Sequence, residues 1–279
     1  MRILVIHHVR RVENLDIYQS DDFASANNEV YGAQELDTWA GIRIFSRNHE
    51  VWRLEICPNE SVVRLIDHKG EIFMSKGIGF PSGKKSLRNA TYLKSLAKYL
   101  DSSVAYFSRE DLITFVNECF SLQKFGFLWW ETQFYDSLIP NDMNSFVRSV
   151  NFEPAHVLAE DSSRLKYLRF ISKLVSERKI SRTRRVVAIS PLDAKRYEAI
   201  SGSEPVILPL RQLPFISESK FPHEDFSDYF LFFGSNFEIR HNYLNLKFIV
   251  EELAPSICKC PNRAGGLTAV TVAILPCSR

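Results

Sequence analysis

The sequence predicts an α/β fold in which helices cover a parallel sheet, followed by the opening of a second unit of the same kind. Short apolar runs alternate with segments of helical period, the pattern of consecutive strand-helix units. The first run, Ile3 to Ile6, is wholly apolar, as a strand covered on both faces requires. A third observation divides the chain. Residues 211–227 hold two prolines, several charges and no sustained periodicity, and a strand-turn-helix pattern begins again at Tyr229. The domains are therefore 1–210, a linker at 211–227, and an incomplete second domain at 228–279.

After the first strand and a polar loop, Leu36, Trp39, Ala40 and Ile44 predict a helix. Trp52, Leu54 and Ile56 alternate with Arg53 and Glu55, which predicts a strand at an edge or with one polar face, and Ile72 to Met74 reads as another short strand. Leu93, Leu96, Ala97 and Leu100 predict a helix, Val104 to Phe107 a strand, and Leu112, Phe115, Val116 and Cys119 a helix. Phe125 to Trp130 predicts a strand ending at Glu131, with Ser149 to Phe152 as one more. Leu165, Leu168, Ile171 and Val175 outline a helix whose other face carries Lys173, Glu177, Arg178 and Lys179. Val186 to Ile189 is a strand followed by a helix with Ser190 as N-cap, Pro191 in the first turn and Asp193 at the positive end of the dipole. Val206 to Leu208 closes the first domain. Tyr229 to Phe233 and the helix holding Leu246, Ile249, Val250 and Leu253 open the second.

Composition excludes several classes. With 35 Lys+Arg against 33 Asp+Glu the formal net charge is +2, so the chain lacks the overall field of a nucleic-acid binder. At 45% hydrophobic residues it lies far from the disordered regime. The basic run Lys173, Arg178, Lys179, Arg182, Arg184 and Arg185 reads as a solvated helix face and loop. No segment approaches the ~20 apolar residues of a spanning helix, and the N-terminal apolar run is too short for a signal peptide, so a cytoplasmic location is expected. Five scattered cysteines predict reduced thiols. Cys258-Lys-Cys260 has no second pair at zinc spacing, so no metal is expected.

Open parallel sheets bind ligands at the carboxyl ends of their strands. That rule selects His7 and His8, Glu131, the group Asn151, Glu153 and His156 beside Pro154, Ser190, and Gly234-Ser235. Glu153 and His156 are the candidate acid-base residues, since a general base must reach a hydroxyl. His7, Glu131, Asn151 and Ser190 are candidate substrate contacts. His7 and His8 would serve equally well as a polar strand terminus, and Glu131 as a surface ion-pair partner. Gly234 and Ser235 form a turn whose backbone N–H groups could approach a phosphate, with Arg240 and His241 supplying positive charge, although both the P-loop and the Gly-x-Gly-x-x-Gly patterns are missing.

Three stretches, in order, resemble the GT-B glycosyltransferases of family 4 (group 1). Gly32 to Val51, within YGAQELDTWAGIRIFSRNHEV, resembles the N-terminal glycine, long helix and second-strand start of that fold. VVAISPLDAKRYEAISGSEPVILPL (Val186 to Leu210) resembles the end of its N-terminal domain, and YFLFFGSNFEIRHNYLNLKFIVEELAPSI (Tyr229 to Ile257) the start of its donor domain. The resemblance implies Rossmann-like domains and transfer of a sugar from a nucleotide diphosphate sugar to a carbohydrate or lipid-linked acceptor, without a bound metal. It places Gly32 near the acceptor, and Gly234, Ser235 and Arg240 near the donor diphosphate. It also implies peripheral proximity to membranes. His7-His8-Val9-Arg10 stands where a glycine-rich turn is common, and the family's Glu-x7-Glu donor motif is absent. The expectation is a chain with a complete acceptor domain and only the first unit of the donor domain, ended early or by a shifted frame, with impaired turnover. A partner chain completing the donor domain is one expectation that follows. A non-catalytic binding or scaffold protein is the alternative.

Overall fold

The N-terminal apolar run becomes β1, Arg2–His8, whose interior residues are all buried. In the computed structural model, residues 1–9, 33–80, 90–149, 151–161, 163–209 and 240–253 are described. Residues 10–32, with the predicted polar loop and Gly32, and the predicted turn at Gly234 and Ser235 lie outside them. Two units divide the chain: Met1–Leu158 with Ser163–Phe215, and Ala159–Ser162 with Ile216–Arg279.

In the first unit, β2 (Glu50–Cys57), β3 (Val62–Ile66), β4 (Ile72–Gly77), β5 (Phe127–Glu131), β6 (Ser145–Ser149), β7 (Arg185–Ala188) and β8 (Val206–Ile207) join β1 in one sheet of order β4-β3-β2-β1-β5-β6-β7-β8. Strands β2, β1, β5, β6, β7 and β8 run parallel, and β3 and β4 form an antiparallel margin beside β2. The α/β fold with a mostly parallel sheet is thus as the sequence predicts, apart from that margin. β3 has no counterpart among the predicted elements. β2 is an interior strand rather than an edge, and its polar face is buried, with Arg53 and Glu55 in the core.

Helix α1 (Ala33–Ser46) covers one face, where Trp39 and Ile42 pack on Ile3, Val5, Val51 and Trp129. The larger apolar cluster fills the other face, under α2 (Ala90–Tyr99), α3 (Ser102–Phe107), α4 (Glu110–Leu122), α5 (Glu153–Glu160), α6 (Lys166–Thr183) and α7 (Pro191–Ser201). Each fully buried large aliphatic side chain there contributes roughly 1.5–3 kcal/mol. α3 corrects the predicted strand at Val104 to Phe107. Asp101 caps the segment by accepting from the Ser103 N–H at 2.8 Å, and the helical turn buries Val104, Ala105 and Phe107. β6 likewise ends at Ser149, where a strand was expected to begin, because α5 starts at Glu153. α7 is capped as predicted, Ser190 Oγ accepting from the Asp193 N–H at 3.1 Å. It stops at Gly202, whose φ of 78° is the left-handed geometry a glycine adopts at low cost.

Helix α6 is turned opposite to the expected way. Ser176, Glu177 and Ile180 are buried, whereas Leu165, Leu168, Ile171 and Val175 are exposed. In the second unit the described residues form α8 (Arg240–Phe248), continuing as a π-helical turn over Ile249–Leu253. No described helix is long and apolar enough to cross a membrane.

Candidate functional site

Strand alternation and register set a charged row across the α1 face near the carboxyl ends of the strands. His7 lies opposite Glu55, Glu55 opposite Arg64, and Glu131 opposite Arg148. All are buried. Arg64 Nη2 donates to Glu55 at 2.8 Å, with Arg53 Nε 3.7 Å from the other carboxylate oxygen. Arg148 pairs with Asp37 of α1 at 2.9 Å and lies 3.8 Å from Glu131, which also accepts from Trp129 Nε1 at 2.7 Å. Arg53, Arg64 and Arg148 are thus matched by Asp37, Glu55 and Glu131, as buried ions must be.

His7 sits in this row with its ring edge-on to Trp39 at 4.9 Å. Burial first, then the Arg53 charge, pull its pKa down to about 3, so the imidazole is neutral. Glu55 Oε1, at 4.0 Å from Nε2, does not reverse this because Arg64 and Arg53 already claim that carboxylate.

On the opposite face, the carboxyl end of β6 meets a second polar group. Ser149 Oγ donates to the Asn151 carbonyl at 2.7 Å and lies 2.7 Å from the Tyr197 hydroxyl, which lies 3.0 Å from Glu177 Oε2. Gln133 Nε2 donates to Glu177 Oε1 at 2.6 Å. Each hydroxyl has one proton. Ser149 gives its proton to Asn151, and Tyr197 donates to Glu177 Oε2, a contact that by itself favours the ionised carboxyl. Desolvation outweighs that contact and raises Glu177 to about 8, with the neighbouring Glu153 adding to the rise. Glu153 is itself raised, chiefly by burial, while Lys173 and His156 pull it down. Lys173 Nζ donates to Asp101 at 3.0 Å and Ser103 at 2.9 Å, which holds that ammonium beside the carboxyl pair.

Between the two groups stands Thr132, with φ of 82° and ψ of 143°. A β-branched residue there is strained by about 1–3 kcal/mol. Its hydroxyl is buried and makes no hydrogen bond among the described residues. Strain of this kind collects at sites that hold a group in a set position. Thr132→Gly is expected to raise stability by ~0.5–2 kcal/mol in urea denaturation, net of glycine's added chain entropy; a loss of stability would show that the conformation is unstrained.

Glu153 and His156 therefore come together on α5, within electrostatic reach of each other. His7 and Glu131 share the other face. Asn151 contributes its backbone carbonyl, and its residue is exposed. The Ser190 hydroxyl is taken up as a helix cap, also donating to Asp193 Oδ2 at 3.0 Å. Gly32, Gly234 and Ser235 lie outside the described residues, and Arg240 begins α8 in the other unit. Sequence reasoning missed Glu177, Tyr197, Lys173 and Arg148 as site residues. Glu177 had one signal, being the single acid in a basic helix. A cavity of about 450 Å³ at the first residues of β7 and β8 is lined by Phe146, Arg185, Val206 and, from the second polar group, Tyr197. No cluster of potential metal ligands occurs among the described residues. No protein-family model matches the chain, and neither does any curated protein or solved structure.

Proposed function

We propose that the first unit is the acceptor-side domain of a GT-B-type, family-4-like glycosyltransferase, acting on a nucleotide diphosphate sugar and a carbohydrate or lipid-linked acceptor. The observation that carries this reading is the carboxyl pair Glu153 and Glu177 at the carboxyl end of β6, both raised toward neutrality and flanked by Lys173. Ligands gather at such strand ends, and a base works best when its pKa approaches the working pH. In the proposed step the acceptor hydroxyl oxygen bonds to the anomeric carbon, its proton passes to the Glu153 carboxylate, and the bond to the nucleoside diphosphate breaks, the diphosphate leaving with the electron pair. Asn151, exposed at the end of β6, would border the acceptor.

Calorimetric titration with nucleotide diphosphate sugars and oligosaccharides, followed by mass spectrometry of the products, tests this. Binding of a donor or an acceptor is expected, with any turnover falling at least about 100-fold in Glu153→Gln. A chain that binds neither class of ligand overturns the reading. A second reading, carbohydrate binding without transfer, is favoured by the mutual neutralisation of the row containing His7 and Glu131; acceptor binding without donor binding would select it.

A further inference from the structure

We propose that the cavity at the first residues of β7 and β8 binds a small zwitterion carrying an apolar ring, the chemistry of a free aromatic amino acid. Its volume of about 450 Å³ is in the range of small-molecule sites, and its lining residues all belong to the first unit. Of the second polar group it touches only Tyr197, whose hydroxyl is already committed to Glu177 and Ser149. Register sets one wall. Phe146 of β6 and Arg185 of β7 are paired residues of parallel strands, so their side chains leave the sheet on the same face, and the Arg185 guanidinium lies 5.6 Å from the Phe146 ring centre. Pro205 and the exposed Val206 add apolar surface to the lining.

Several polar groups of the lining are engaged within the chain. Thr183 Oγ1 donates to the carbonyls of Lys179 at 3.2 Å and Ile180 at 3.1 Å, and Ser201 Oγ donates to the Ser203 carbonyl and accepts from the Ser203 N–H, both at 3.1 Å. Arg184 turns its guanidinium inward, to Asp136 at 2.9 Å and to the carbonyls of Ile139 and Pro140. Three charged residues of the lining remain. Arg182, Arg185 and Glu204 are exposed and make no ion pair among the described residues. Two cations and one acid around a single cavity suit a ligand that carries both signs. A carboxylate takes paired N–H donors from the Arg185 fork, an ammonium answers Glu204, and a ring lies on the apolar wall. Stacking on Phe146 holds the guanidinium in place beforehand, which lowers the cost of ordering it. A plain anion leaves Glu204 facing its charge, and a plain cation faces two arginines. A nucleotide phosphate, with its higher negative charge, sharpens the conflict with Glu204.

Calorimetric titration of the full chain with L-phenylalanine, L-tyrosine and L-tryptophan tests the proposal. It reads amino-acid binding alone, so it stands or falls separately from sugar transfer. Saturable binding of at least one is expected, with a Kd on the order of 0.1–1 mM. 3-Phenylpropionate, which lacks the ammonium, and phenethylamine, which lacks the carboxylate, should each bind at least about tenfold more weakly than L-phenylalanine. Arg185→Gln should weaken amino-acid binding about tenfold and Glu204→Gln about fivefold. Lys195→Gln, exposed on α7, should change nothing. The replaced side chains are exposed, so unchanged circular dichroism serves as the folding control. No saturable binding by any of the three amino acids, equal binding of 3-phenylpropionate or phenethylamine, or full binding by Arg185→Gln or Glu204→Gln would overturn the proposal. So would tighter binding of a nucleoside monophosphate, which would make the cavity a phosphate site.

Discussion

Arg148→Met is expected to destabilise the first unit by ~3–5 kcal/mol, the cost of breaking a buried ion pair on one side. Arg148 is at 0% exposure and ties β6 to three other parts of the fold: Asp37 of α1, Glu131 of β5, and the segment after β8 through the carbonyls of Leu208 at 3.3 Å and Pro209 at 3.2 Å. Methionine fills much of the volume but leaves two carboxylates under α1 without their cation. Urea denaturation followed by fluorescence of the core tryptophans measures the loss. The double variant Arg148→Met/Asp37→Leu should recover part of it, because one orphaned charge is removed. A loss below about 1 kcal/mol would mean that water reaches the row, and that Arg148 behaves as a surface cation.

The second large effect is on pH dependence, and it has opposite signs at two groups. The Glu177 carboxyl holds its proton in the fold up to about 8, against 4.5 when unfolded. Its contribution to stability is therefore full below 4.5 and is lost as pH rises toward 8. His7 titrates near 3 in the fold against 6.5 unfolded, so its contribution is full above 6.5 and is lost as pH falls toward 3. Between 4.5 and 6.5 the two slopes cancel.

Glu177→Gln mimics the uncharged carboxyl and keeps one acceptor oxygen toward Gln133 or Tyr197. Its stability relative to the parent chain should climb by about 1.4 kcal/mol per pH unit from 4.5, approaching ~4 kcal/mol near pH 8. His7→Phe should show its relative gain only below pH 6.5. Stability measured by urea titration from pH 4 to 8 checks both. A Glu177→Gln difference that is flat with pH would show that burial does not raise the Glu177 carboxyl.

The parts of the site that were legible in the sequence rest on short-range chemistry. Ser190 caps α7 through an N–H three residues away, so residue type and spacing suffice to find it. Glu153 and His156 share one turn of α5, and their proximity follows from the helix itself. Arg148 and Asp37 are joined by topology, since β6 lies on one side of β5 and β1 on the other, with α1 laid across the face. Nothing in the local sequence of either residue marks the other. Arg53 and Glu55 gave the alternation of a half-polar strand, but alternation does not distinguish a solvated face from one whose charges are paired under a helix.

Helix α6 shows where sequence and tertiary structure part. Its sequence determined a helix with an apolar stripe and a basic face, because period and propensity act within the segment. Which face turns inward was decided by the partners available. Gln133 and Tyr197 satisfy Glu177, Asp101 and Ser103 satisfy Lys173, and Ile180 enters the apolar cluster. Once those polar groups are satisfied, burying them no longer carries the cost that would have sent them to solvent. The apolar stripe is left outside. The sequence by itself thus determined the α/β order, the capped helices and the polar strand ends, all of which follow from neighbours in the chain. Only the tertiary structure decided that the charged row is buried, that Glu177 holds a proton, and that leucines face outward on α6, because each depends on atoms brought from distant segments.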